Sequence, residues 1–158
     1  MRRPRVLSVG SDPTIVKLLR INLEVRGCKT LVAKESTKAL QVTQREQPDL
    51  VILDTKIPDI DDFELCHKLR EQKQIPVIVL SNRCDVKDKV EFLTHGADYY
   101  ITKPFSIVEL VAHVRAVFRR TKSTFLTLQL RAKIEPDPTN PKYIVTVPGR
   151  GYQFRDKL

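Results

Sequence analysis

Between Arg5 and Arg120, five short apolar runs alternate with five stretches of helical periodicity, and this alternation constrains the fold more than any other feature. The runs are Arg5–Val9, Lys29–Ala33, Leu50–Leu53, Ile75–Leu80 and Tyr99–Thr102. Short uninterrupted apolar runs between turn signals read as strands buried on both faces. Each is followed by a helix with its own punctuation. Asp12-Pro13 starts the first, which carries Ile15, Leu18, Leu19 and Leu23 and ends at Gly27. Ser36 opens the second, which carries Ala39, Leu40 and Thr43 and stops near Gln47-Pro48. The third runs through Phe63, Leu65, Cys66 and Leu69, and the fourth from Val86 to His95, closing at Gly96. Ser106 begins the fifth, through Leu110, Val114 and Val117 to Arg120. A strand–helix alternation of this kind predicts an α/β doubly wound parallel sheet with helices on both faces.

Ligands in such sheets bind at the carboxyl ends of the strands. Those ends carry Gly10-Ser11-Asp12, Asp54, Ser81 and Lys103. Taken alone, Asp54 is equally a site of chemistry and a cap for the next element. With a hydroxyl and an ammonium converging on it, chemistry gains: a carboxylate can attack phosphorus, while the other two groups bind phosphoryl oxygens.

The remaining composition excludes more than it suggests. No apolar run approaches membrane-spanning length and no charged-then-apolar leader is present, so a mature cytoplasmic protein without membrane association is expected. Cys28, Cys66 and Cys84 are odd in number and lack metal or redox spacing, and His67, His95 and His113 stand singly. Of the net charge of +9, residues 121–158 hold seven Lys/Arg against three Asp/Glu, which makes the tail the more basic part per residue.

Several motifs, as they stand, carry a family likeness. They are Leu53-Asp54 with Pro58, Leu80-Ser81, Gly96-Ala97-Asp98-Tyr99-Tyr100-Ile101-Thr102-Lys103-Pro104-Phe105, and Glu109-Leu110. Residues 1–122 resemble the receiver domain of bacterial two-component response regulators of the OmpR/PhoB subfamily. The resemblance implies a flavodoxin-like (βα)5 sheet in the order 2-1-3-4-5. It implies Asp54 as phospho-acceptor, Ser81 and Lys103 as phosphoryl contacts, Tyr100 as the switch aromatic and a cis Lys103-Pro104 peptide. It also implies a dimer face on helix four, strand five and helix five, with Lys89 paired to Glu109 and Asp98 to Arg120. Other bridges of that face are lost, because their positions hold Tyr99 with His113 and Thr94 with Arg115.

The chain departs from the pattern where the metal should bind. The family uses two neighbouring acids after strand one, which with the phospho-acceptor hold Mg²⁺. Here those positions are Gly10 and Ser11, and Asp12 is expected to cap the helix. Mg²⁺ wants carboxylates, so its binding is expected to be weak or lost, with no other cofactor. Lys103 is then expected to pair directly with Asp54. Asn82 after Ser81 narrows access for a phosphodonor, and Asp62 stands where glycine usually precedes Phe63.

Residues 123–158 resemble only the end of the subfamily's winged-helix DNA-binding domain. Leu128–Glu135 matches the later part of its recognition helix, and Tyr143–Phe154 its wing hairpin. The sheet and helices that normally precede them are absent. The tail is therefore expected to pack on the receiver, to continue helix five, or to assemble with another chain. Arg131, Lys133 and Arg150 are the candidate phosphate contacts, with sequence-specific DNA recognition not expected from this chain alone. The expectation for the whole is a non-enzymatic response-regulator-like protein of transcriptional signalling, acting by protein contacts. A sensor histidine kinase and a homodimer or heterodimer are the expected partners. A working phospho-acceptor at Asp54 and a residual DNA-binding regulator are the alternatives.

Overall fold

The computed structural model describes residues 3–55, 60–72, 74–137, 140, 142–147 and 151–154, with backbone alone at 121–132, 134, 146, 147, 151, 152 and 154. Its first compact unit runs to Arg115 and its second from Ala116 onward.

In the first unit β1 (Arg5–Val9), β2 (Lys29–Ala33), β3 (Leu50–Asp54), β4 (Val77–Ser81) and β5 (Tyr99–Thr102) form one parallel sheet in the order β2-β1-β3-β4-β5. The helices between them are α1 (Pro13–Glu24), α2 (Ser36–Glu46), α3 (Asp62–Gln72) and α4 (Val86–Thr94). This is the flavodoxin-like arrangement that the alternation and the resemblance imply.

Side chains alternate across a strand, so each strand feeds two cores. Leu7, Val9, Val51, Leu53, Val77 and Val79 cluster with Ala39, Val42, Leu65, Cys66, Leu69, Phe92 and Tyr100 on one face. Val6, Leu50, Ile52, Ile78 and Leu80 are equally buried on the other, where Leu19, Leu23, Leu110, Val111 and Val114 add further buried apolar surface. Central strands β3 and β4 are buried along their whole length, as parallel strands covered by helices must be.

Local chemistry sets the ends. Asp12 accepts from the Thr14 amide (2.9 Å), with Pro13 in the first turn of α1. Gly27, at φ +87°, turns the chain out of that helix. β4 begins at Val77, two residues later than the sequence predicts. Pro76 has no N–H to give a ladder.

The last helix differs most from expectation. Instead of ending at Arg120, α5 runs from Ile107 to Ile134 and takes in most of the stretch expected as a separate recognition-helix end. No glycine or proline interrupts these residues, so nothing in the backbone chemistry stops the helix. Helix five thus continues into the tail, which is one of the alternatives the sequence left for it.

The second unit then forms an antiparallel hairpin, β6 (Ile144–Val147) and β7 (Gly151–Phe154). Glu135, just past α5, is 7% exposed and accepts from the Lys142, Tyr143 and Ile144 amides at 2.7–2.8 Å. One carboxylate thus fastens the start of the hairpin to the end of the helix. Among the described residues, no helix is long and apolar enough to cross a membrane.

Candidate functional site

β3 and β4 each deliver a polar residue at the carboxyl end of an apolar strand, and β5 delivers Lys103 one residue past its own end. Asp54 is 6% exposed and Ser81 fully buried. The Lys103 ammonium is ion-paired to Asp54 Oδ1, with both side chains largely out of solvent. Direct pairing of these residues is the arrangement the sequence suggested. Burial pushes the Asp54 carboxyl above its ordinary range, Lys103 pulls it back, and Asp12 and Asp62 add to the upward push.

Ser81 Oγ accepts from Thr55 Oγ1 (3.3 Å) and from the Arg83 amide (3.1 Å). Tyr100 is 9% exposed, and its hydroxyl donates to the Arg83 carbonyl at 2.5 Å. Arg83 therefore joins the Ser81 hydroxyl to the aromatic on β5 through its main chain. Its guanidinium lies 3.8 Å from Asp88. The peptide between Lys103 and Pro104 is cis.

The structure thus pairs Asp54 with Lys103 and places Ser81 at the carboxyl end of the neighbouring strand, where its carbonyl accepts from the Lys103 amide (2.8 Å), with Tyr100 linked through the β4–α4 loop. Sequence reasoning missed Thr55 and Arg83. Thr55 carries only a hydroxyl next to Asp54, and Arg83 acts through backbone atoms, which no residue type announces. At the end of β1, Gly10 offers no side-chain donor, and Asp12 is turned to the Thr14 amide. Ser11 and Asn82 are exposed. Pro58 lies outside the described residues.

On the expected dimer face, Lys89 and Glu109 are exposed. Lys89 Nζ sits 6.0 Å above the Tyr100 ring, and Glu109 lies 3.7 Å from His113. Asp98 serves the fold directly, accepting from the Val77 amide at 2.8 Å with Arg70 3.6 Å away. Arg120 is exposed on α5. Of the candidate DNA contacts, Lys133 is exposed, while the Arg131 side chain and Arg150 lie outside the described residues.

A sequence profile of the response regulator receiver domain matches residues 6–115. The chain belongs to the response regulator receiver family. Several of its relatives are named as transcriptional regulators. It is 40% identical over 121 residues to the DNA-binding dual master transcriptional regulator RpaA of Synechocystis, a match taking in 75% of this chain and 50% of that protein. It is 30% identical to the transcriptional regulatory protein KdpE of Mycobacterium tuberculosis, over 221 aligned positions covering 94% of this chain and 98% of the relative. With 158 residues here, dozens of that relative's positions have no counterpart, although both of its ends do. In RpaA and several other curated relatives, the chain spans about half their length. Among solved structures, the receiver domain of the Francisella response regulator 1452 superposes with a TM-score of 0.71 at 35% identity, covering 75% of this chain and 98% of that one.

Proposed function

We propose that this receiver acts in two-component transcriptional signalling through protein contacts, with Mg²⁺-dependent phosphorylation of Asp54 impaired. One observation carries the reading: the acceptor carboxylate is already paired with Lys103, and the neighbouring positions hold Gly10 and Ser11 where the family has acids. A hard dication needs several anionic oxygens, and this donor set does not fit it. The same reading makes the chain a non-enzymatic, cytoplasmic protein. Its partners are a sensor histidine kinase and a second receiver docked on helix four, strand five and helix five. It takes residues 1–122 as the receiver and 123–158 as the remnant of a winged-helix domain, a division supported by the alignment that joins both ends of a full-length relative.

The test is mass spectrometry of the intact chain after incubation with Mg²⁺ and acetyl phosphate. No phosphoryl adduct is expected. An adduct present in the wild type and absent in Asp54→Ala refutes the reading in favour of a working phospho-acceptor, which the convergence of Asp54, Ser81 and Lys103 favours.

A further inference from the structure

Gly10 and Asp54 directly follow Val9 and Leu53, the last residues that pair β1 with β3. A methyl group built on Gly10 would lie 2.8 Å from Asp54 Cβ, 3.3 Å from Oδ2 and 3.4 Å from Cγ. Non-bonded carbons settle at about 3.5–4.0 Å. The closest of these three atoms belongs to the base of the side chain, so changing the rotamer of Asp54 does not relieve the overlap. Backbone conformation is no reason for a glycine here, since among the described glycines only Gly27 and Gly96 have positive φ. Gly10 is needed for space.

That space is where the acceptor carboxylate lies. Oδ2 rests beside Gly10 while Oδ1 meets Lys103. We infer that Gly10 is a positioning residue: the side chain it lacks leaves the room in which Asp54 lies against β1, and a carboxylate restored at position 10 displaces Asp54 instead of joining it around a cation. This rests on the reading of the pocket as one that does not hold Mg²⁺, and it adds that the loss is structural as well as electrostatic. Putting back the missing acids does not put back the site.

The experiment uses the full chain and follows the Asp54 carboxyl resonance by ¹³C NMR, with urea unfolding alongside. Gly10→Ala adds one carbon and no charge. It is expected to shift the Asp54 resonance and to lower the folded-to-unfolded ratio about tenfold, as overpacking does. That penalty is expected to vanish in an Asp54→Gly background, where the atoms it meets are gone. The Gly10→Asp, Ser11→Asp double variant is expected to show no saturable Mg²⁺-dependent shift of Asp54. If the double variant fails to fold, Gly10→Ala and its Asp54→Gly cycle decide alone. An unmoved Asp54 resonance in Gly10→Ala, a penalty that persists without the Asp54 side chain, or saturable Mg²⁺ binding by the double variant each overturns the inference. Phosphoryl uptake by the wild type instead strikes the proposed function, so the two failures are told apart.

Discussion

Lys103→Met removes the one cation that, among the described residues, is ion-paired to Asp54, and keeps most of the side chain's bulk. The pair's side chains are 18% and 9% exposed. Two charges in contact attract by about 4–5 kcal/mol at an effective dielectric near 20. Breaking such a pair usually costs about 3–5 kcal/mol, because one charge stays buried alone. Two effects reduce that here: the rim at Lys103 admits some water, and Asp54 can escape by binding a proton. The expected loss at pH 7 is therefore about 2–3 kcal/mol. That is a fall of roughly 10 °C in Tm for a unit of this size. The chain has no tryptophan, so far-ultraviolet circular dichroism in urea is the suitable assay.

The pH dependence tests the mechanism. Burial already holds the Asp54 carboxyl above its ordinary 3.8, and losing Lys103 raises it further. A carboxyl with a raised folded pKa binds its proton more tightly when folded, so its charged form costs stability above that pKa and nothing below the unfolded one. The difference between variant and wild type is thus full at neutral pH. It shrinks as pH falls through the variant's folded pKa and is gone once Asp54 is protonated in both folded proteins. Adding Asp54→Asn to Lys103→Met should recover more than half of the neutral-pH loss. A loss below about 0.5 kcal/mol, the value of a surface pair, or one that does not change between pH 7 and pH 4, refutes the buried-pair account.

Two further outcomes follow from single contacts. Tyr100→Phe deletes the hydroxyl that holds the Arg83 carbonyl and should cost about 1 kcal/mol. Amide exchange should quicken at Asn82–Asp85 and stay unchanged in β1 and β3; an unaltered loop would show that the bond does not restrain it. Glu135→Ala strips the acceptor from three amides at the start of the hairpin and should cost about 2–3 kcal/mol within the second unit. Exchange protection at Lys142, Tyr143 and Ile144 should fall while the five-stranded sheet keeps its own, and retained protection would mean that the hairpin holds without the carboxylate.

The sheet was legible in the sequence because its signals are local. Apolar runs such as Leu50–Leu53, the Asp12-Pro13 start and the Gly27 stop each act within a few residues. Alternation of such elements leaves few topologies. The convergence of Asp54, Ser81 and Lys103 followed from topology, and the direct pair from counting the missing acids. Legibility failed in two places. The tail's likeness to a separate domain left continuation of α5 as only one of three alternatives, although the run from Ile107 to Ile134 holds no breaker. The Ser81–Arg83–Tyr100 linkage was hidden because its middle member contributes an N–H and a C=O, groups almost every residue owns. Gly10 lies between these cases: its missing charge is plain in the sequence, but its closeness to Asp54 is a fact of three dimensions.

The energetics of the pair also bear on which reading of the pocket is the more economical. To attack phosphorus, Asp54 must be ionised and must present a free oxygen. Here Oδ1 is held by Lys103 and Oδ2 lies beside Gly10. If freeing Oδ1 costs the same 2–3 kcal/mol as breaking the pair, phosphoryl transfer slows by roughly 30- to 150-fold before any loss of metal assistance is counted. The transferring group would also meet fewer charges able to neutralise it. A partner docking on an exposed helix face faces neither cost, because binding there leaves the Asp54–Lys103 pair closed. On the proposed reading, the substitutions at positions 10 and 11 tilt the receiver from a site that reacts toward a surface that is recognised.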